Sequence, residues 1–336
     1  NVALNDLNLF QNIKKALMTV DLKKETAAYL WSKSTKGEVW CGDSLARMRK
    51  MHSETIDLCF TSPPFPLQRK KSYGNSSGHA YETWLMEFVA EIKRLLKPSG
   101  SLVLDLGCCW EKGKASRSLY DMRLALRIVE ELNMPMAQEF YWWNPSRLPS
   151  PAQWVTIEKI RLKDSVNKLM WFGKTENPYS SNQNVLIPYS DDMERVLIKG
   201  SLSNQQRPSG HSPSNALLKR NRGAIPGNLM TLPNSNALDP YLKYCRDNKL
   251  KPHPARCPFE LPEFFIKFLT KKGGKVLDPF SGSCATGYAA DKQGRRWVCI
   301  DQDPEFLKTF KGHFGNRSEK TPPRKRNLHT VGLYAK

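Results

Sequence analysis

Lys275-Val276-Leu277-Asp278-Pro279-Phe280-Ser281-Gly282-Ser283-Cys284 starts as a short run of strand formers, reaches an acid, and then passes through small residues toward the helical pattern Ala285–Lys292. A buried strand that ends in a carboxylate and turns through Ser and Gly into a helix lets a ligand approach backbone amides closely. About twenty residues further on, a second strand-like run, Trp297-Val298-Cys299-Ile300, ends at Asp301, where an acid can accept hydrogen bonds from ribose hydroxyls. Each element alone is common. At this spacing the two together indicate a nucleoside cofactor, and the lack of a GxGxxG turn counts against a dinucleotide.

Upstream, the same alternation of short apolar runs and amphipathic segments begins at Gly37. Glu38-Val39-Trp40-Cys41 reads as a strand, Ser44–Met51 as a helix and Thr55–Thr61 as a buried strand. Trp84, Leu85, Phe88, Ile92 and Leu95 recur at helical spacing over Tyr81–Leu96, and Pro98-Ser99-Gly100 ends that helix. Ser101–Leu106 is read as a strand, Leu119–Leu132 as a helix and Gln138–Trp143 as a strand. After a break, the pattern resumes with helix Pro262–Thr270, strand Lys275–Phe280, helix Ala285–Lys292, strand Arg296–Asp301 and helix Pro304–Phe310. This order predicts an α/β fold with a mainly parallel sheet covered on both faces. Residues 1–36 are expected to form a helical extension. Residues 37–175 and 253–314 are expected to form two halves of one domain, and 315–336 a basic, disordered tail. The stretch 176–252, rich in Asn, Ser, Pro and Lys, is too long for a loop. It is expected to be an inserted lobe, with Val185–Tyr189 and Leu238–Tyr244 apolar enough to pack.

The run Ile56–Phe60 leads into Thr61-Ser62-Pro63-Pro64-Phe65. Two prolines stiffen the backbone and leave carbonyls without local donors. Ser62 contributes a hydroxyl acceptor and Phe65 an aromatic face, at a strand end where α/β folds place their sites. A bare Ser-Pro-Pro is otherwise only a stiff loop.

The charge points to a polyanion: 52 Lys and Arg oppose 32 Asp and Glu, a formal net charge of +20. The eight cysteines form no CxxC pair, so no zinc site or redox motif is indicated, and they read as reduced thiols. No run of apolar residues is long enough to span a membrane, and the N-terminus lacks the basic-then-apolar layout of a signal peptide.

With both motifs in place, the chain resembles the amino-methylating DNA methyltransferases. TSPPF looks like their catalytic motif IV and DPFSGS like their cofactor motif I. Catalytic motif first, variable lobe next and cofactor motif last is the circularly permuted arrangement called the beta class. The likeness is strongest to the PvuII-type cytosine-N4 enzymes, over roughly residues 36–310. It runs through Gly42-Asp43-Ser44, Gln68-Arg69-Lys70-Lys71, Phe140–Ser146, Arg207-Pro208-Ser209-Gly210-His211 and His253-Pro254-Ala255-Arg256. Cys284 departs from the pattern, since many relatives have Gly there.

The resemblance implies a permuted Rossmann-like fold and S-adenosylmethionine as cofactor, held by Asp43, Thr61, Asp278, Phe280, Gly282, Ser283 and Asp301. It implies that Ser62, Pro63, Pro64 and Phe65 hold a flipped cytosine, that no metal is needed, and that the partner is double-stranded DNA. Expected DNA contacts are Gln68, Arg69, Lys70 and Lys71 after the catalytic loop, and Arg207, His211, Lys219, Arg220 and Arg222 in the 176–252 target-recognition region. The enzyme is expected inside the cell with the DNA, in a bacterial cytoplasm or a nucleus, and its oligomeric state is not encoded in any motif. Three other readings stay open: adenine-N6 methylation, methylation of RNA, and a DNA-binding protein without catalysis.

Overall fold

The computed structural model describes residues 27–66, 79–201, 218–234 and 239–314. The expected basic tail, and residues 1–26 of the expected N-terminal extension, lie outside these. The chain builds one nine-stranded sheet in the order β1-β2-β9-β8-β3-β4-β6-β5-β7. The strands are β1 Tyr29–Lys33, β2 Gly37–Cys41, β3 Ile56–Thr61, β4 Leu96–Leu106, β5 Met136–Trp143, β6 Val166–Gly173, β7 Leu229–Thr231, β8 Lys275–Asp278 and β9 Arg296–Asp301. From β2 through β9, β8 and β3 to β4 every pairing is parallel, while β1 and β6 run antiparallel to their neighbours. Strands β8 and β9, last in the chain, lie in the middle of the sheet between β2 and β3. Strands from residues 37–173 and 275–301 thus share one sheet with β1 and β7.

Strand periodicity explains the two cores. Leu58, Phe60, Val103, Val276, Trp297 and Cys299 belong to one buried cluster, whereas Cys59, Leu102, Leu104, Leu277, Val298 and Ile300 belong to the other. Successive side chains point to opposite faces, so strands that are apolar at every position demand cover on both sides. One face is covered by α2 His79–Leu95, which buries Leu85, Val89, Ile92 and Leu95, and by α3 Tyr120–Leu132. The other is covered by α6 Glu260–Leu269 and α7 Ala285–Lys292. Among the described residues the remaining α-helices are α1 Ser44–Arg49, α4 Asp191–Lys199, α5 Pro240–Asp247, α8 Pro304–Leu307 and α9 Lys311–Phe314.

Three expectations are corrected. Tyr29–Lys33 is not helical: it forms β1, folded onto β2 by a tight turn in which Ser34 N donates to Gly37 O at 2.8 Å. Its aromatic and β-branch-free residues show no alternation because it is an edge strand with little burial. Pro98-Ser99-Gly100 does not separate α2 from the next strand, since β4 starts at Leu96 and takes these residues into a register shift opposite Ile56 and Leu58. The stretch 176–252 is not a lobe apart at its second half. Leu229–Thr231 adds a parallel strand beside β5, and Tyr241 of α5 stacks on His313 of α9 at 4.5 Å between ring centroids.

Helix α7 lies close on β9 because Gly287 has no side chain. A Cβ there would fall 2.8 Å from Cys299 Sγ and 2.9 Å from Trp297 Cε3. Gly287→Ala is therefore expected to destabilise the protein by about 1–3 kcal/mol through overpacking. Urea unfolding of the variant checks this, and an unchanged midpoint would contradict it.

Candidate functional site

The parallel strands β2, β9, β8, β3 and β4 all end at one edge of the sheet, and the residues expected around the cofactor and the target base lie there. Asp278 closes β8. Thr61 Oγ1 donates to its Oδ1 at 2.7 Å, Phe280 N to the same oxygen at 3.1 Å, and Thr286 Oγ1 to Oδ2 at 2.6 Å. Burial pushes its carboxyl up to about 6, against the opposing pull of those three donors. Both oxygens are engaged inside the protein, so Asp278 and the fully buried Thr61 shape the turn between β8 and α7. Their side chains are buried, Thr61 fully. Ser283 is likewise buried, with its hydroxyl 3.0 Å from His313 Nε2.

Asp301, at the end of β9, is placed differently. Gly282 N donates to Oδ2 at 2.7 Å and Asp303 N to Oδ1 at 2.9 Å. The Gln302 amide bonds the carboxylate as well, and a carboxylate has about four lone-pair sites, so acceptor capacity for about one more hydroxyl remains. Burial raises the Asp301 carboxyl above its ordinary value. Gly282 takes φ +50°, and a Cβ there would lie 3.0 Å from His253 Nε2, so the turn passes directly beneath the His253 ring. Cys284, the departure noted in the sequence, carries a positive φ of 64° at the N-cap of α7. This backbone region favours glycine. Its side chain is fully buried, with Sγ 3.6 Å from Ser281 Oγ.

Two neighbours complete this half. Asp43 is exposed and caps α1, accepting from Ala46 N at 2.8 Å, while Gly42 N donates to Asp301 O at 3.0 Å and so sets Asp43 beside the end of β9. Ser44 Oγ donates to Pro279 O at 2.6 Å. Phe280 is half-buried against Phe88 and Trp84, at 4.8 and 5.6 Å between centroids.

The second half of the site follows β3. The hydroxyl of Ser62 lies within reach of the carboxyl of Asp105, which β4 presents next door, and lowers its proton affinity. Asn167 Nδ2 donates to Asp105 Oδ1 at 3.0 Å, and Arg147 Nη1 donates to Asn167 Oδ1 at 2.8 Å. Burial pushes the Asp105 carboxyl up to about 6, opposed by its bonds to Asn167 and Ser62 and by the charge of Arg147. Pro63 is buried, and Pro64 and Phe65 are half-buried. The Phe65 ring lies over Gly107, where a Cβ would come within 2.3 Å of Cε2. Asp105, Asn167, Arg147, Gly107 and His253 were not among the expected site residues. Asp105 did carry a signal, since an acid inside the apolar run Ser101–Leu106 must have buried partners.

The expected DNA contacts fare unevenly. Gln68, Arg69, Lys70, Lys71, Arg207 and His211 lie outside the described residues. Lys219, Arg220 and Arg222 are exposed but attach to the opposite edge of the sheet. Arg220 pairs with Glu194 at 2.7 Å, and Arg222 Nη2 reaches Gln183 O at 3.4 Å. Nearby, Ser181 N bonds Phe268 O, and Tyr179 N bonds Ser99 O near the start of β4. None of the three adjoins Ser62 or Asp301. Among the described residues no cluster of His, Cys, Asp or Glu could hold a metal ion, and no helix is long and apolar enough to cross a membrane.

Residues 56–312 match the model of a DNA methylase family of N6- and N4-methyltransferases. The type II methyltransferase M.PvuII of Proteus hauseri is 43% identical over 276 residues, covering 82% of this chain and 82% of its own length. The DNA adenine methyltransferase YhdJ of Escherichia coli (strain K12) is 25% identical over 285 residues, covering 80% and 79%. A solved structure of PvuII DNA methyltransferase, cytosine-N4-specific, superposes with a TM-score of 0.69 at 37% identity, over 85% of this chain and 89% of that one.

Thr61→Val keeps the shape of Thr61 but leaves Asp278 Oδ1 with the Phe280 amide alone. It is expected to lower stability by about 1–3 kcal/mol, the penalty for removing one partner of a buried acceptor. Urea unfolding checks this, and parental stability would show that the bond contributes nothing.

Proposed function

This chain belongs to the DNA methylase family of N6- and N4-methyltransferases, and from that premise we propose that it transfers the methyl group of S-adenosylmethionine to the exocyclic N4 amino group of a cytosine flipped out of duplex DNA. The observation that carries the reading is Ser62, which follows β3 beside buried Asp105 of β4, with Asp278 at the end of the adjoining strand β8. The similarity to M.PvuII supports cytosine as the base. Its place of action is wherever the DNA is, inside the cell.

The donor set suits a nucleoside cofactor. Asp301 keeps acceptor capacity for a ribose hydroxyl, Asp43 lies beside it, and Gly282 and Phe280 border the same turn. S-adenosylmethionine supplies a sulfonium-bound methyl group. The chain's task is then to present a weak nucleophile. The lone pair of a cytosine amino group is delocalised into the ring and must be turned toward the methyl carbon. The Ser62 hydroxyl gives its hydrogen to ionised Asp105, which leaves its own lone pairs for an amino N–H, and the Pro63 carbonyl offers a second acceptor. As the nitrogen gains positive charge in the transition state, both oxygens hold it more strongly. Phe65 offers a face on which the flipped ring stacks, worth about 1–3 kcal/mol toward the unstacking cost. No thiolate is required. Burial raises the thiol of Cys257, whose surroundings include Asp105 and Asp278, well above its ordinary value, and pushes that of Cys109 up to about 12. These remain protonated and are poor nucleophiles.

Incubation with S-adenosylmethionine and mixed duplex DNA, followed by mass spectrometry of the nucleosides, should yield N4-methylcytosine. N6-methyladenine alone would replace cytosine by adenine, and the absence of any methylated base would overturn the reading. Ser62→Ala should slow transfer by about 100–1000-fold, as removal of one preorganised transition-state contact does elsewhere.

The pH profile tests Asp105. Below about 6 its carboxyl holds a proton and competes for the Ser62 lone pairs; above, it only accepts. Transfer should therefore rise with pH through that region, and Asp105→Asn should be slow and lose this limb. Asp278 shares the same window, so a limb surviving unchanged in Asp105→Asn would assign it there and contradict the role given to Asp105.

A further inference from the structure

The connection between β5 and β6, residues 144–165, has a composition that a soluble surface ordinarily avoids. Leu162 is 91% exposed and Leu148 81%, the most exposed large apolar side chains among the described residues. Ile157 and Ile160 are also exposed. Lys159, Arg161 and Lys163 alternate with Ile160 and Leu162, so apolar and cationic groups share one surface. The two acids of the segment are engaged. Asp164 accepts from Trp110 Nε1 and lies 3.9 Å from Arg117, while Glu158 accepts from Gln153 Nε2 at 2.9 Å.

The segment is built rather than loose. Gln153–Ile157 forms a π-helical turn, and Lys159 at φ 58° reverses the chain, so that Ile160 N and Arg161 N both return to Trp154 O. Asp164 N donates to Ser150 O at 2.9 Å and Lys163 Nζ to Arg147 O at 3.3 Å, which sets the Leu148 and Leu162 stretches side by side. Arg161 Nη2 bonds Ala115 O in the loop that follows β4. Its root is the catalytic edge of the sheet: Asn144 N donates to Ser165 O, and Arg147 reaches Ser62 through Asn167 and Asp105.

We infer that residues 144–165 are a DNA-opening element, with Lys159, Arg161 and Lys163 on the phosphates and Leu148 and Leu162 wedged into the base stack where the target leaves it. The inference rests on the proposed methyltransferase function and adds to it the step that exposes the base. Cationic side chains fit the phosphates, and exposed aliphatic ones serve where base steps are pried apart. A second copy of the chain would find no complementary charge in this surface, which itself carries an excess of cations. The element also stands where Lys219, Arg220 and Arg222 do not, at the edge that holds Ser62.

The test uses the full chain and a short duplex bearing the sequence that the protein methylates in mixed DNA. The target cytosine is either paired with guanine or placed opposite an abasic position. Leu148→Ser/Leu162→Ser should transfer about 10–100-fold more slowly to the paired target, because the wedge offsets part of the unstacking cost. With the target already unpaired, it should come within about threefold of the parent, since little unstacking remains to be driven. Its affinity for S-adenosylmethionine should be unchanged, and Leu148→Met/Leu162→Met should restore transfer to the paired target. An equal loss on both duplexes, or no loss on either, overturns the inference. So does a variant altered only in oligomeric state, which would make the surface an interface between copies. A parent chain that methylates neither duplex would instead remove the methyltransferase reading beneath it.

Discussion

The hydrogen bond from Thr61 to Asp278 joins residues 217 positions apart and holds the two halves of the site in register. Thr61 is the last residue of β3 before Ser62 and the prolines; Asp278 is the last of β8 before the glycine turn. Both are buried, so the bond forms where water does not compete, and losing either partner strands a polar group in the core. Asp278 also ties down the start of α7 through Thr286 and the turn itself through the Phe280 amide. One carboxylate thereby positions the strand that presents the acceptor loop and the turn that borders Asp301. The chain order, with Thr61 early and Asp278 late, matters little once β8 and β9 have been threaded into the middle of the sheet.

Around this link the molecule separates its charges. Carboxylates converge inside the edge of the sheet, where Asp105 and Asp278 are both held near 6 by burial. Cations dominate the whole chain at +20 and flank that edge on the 144–165 connection. A buried acid beside Ser62 stays available as an acceptor while the surface around it attracts a polyanion. Asn167 and Arg147 couple the two regions, because the guanidinium that steadies Asp105 through Asn167 belongs to the exposed cationic segment.

Much of this was legible in the residues. The runs Lys275–Asp278 and Arg296–Asp301, bounded by Gly and acids, marked β8, α7 and β9 almost to the residue, because strands buried on both faces are apolar throughout. Asp301, Ser62 and Phe65 were singled out through the same strand ends, and the structure gathers them at one edge of the sheet. What was missed depends on partners far away in sequence. Asp105 becomes part of the site through Asn167, 62 positions on. β6 carries polar Asn167 and Lys168 directly after its first residue and so hid its strand character, and β1, exposed on an edge, has no alternation to read. The charges of Lys219, Arg220 and Arg222 marked them as DNA contacts, but charge alone does not say which edge of the sheet a residue occupies. Thr61, Asp278 and Ser283 lie where the motif placed them, yet they serve as its internal supports.

In the proposed reaction Asp301 and Ser62 divide the labour at one sheet edge, the first holding the methyl donor and the second the acceptor base. Calorimetric titration of S-adenosylmethionine into the parent chain, Asp301→Ala and Ser62→Ala tests that division directly. The predicted result is parental affinity for Ser62→Ala and at least about tenfold weaker binding for Asp301→Ala, as expected for losing hydrogen bonds to a charged acceptor. Equal affinity in Asp301→Ala and the parent, or a comparable loss in Ser62→Ala, would contradict it.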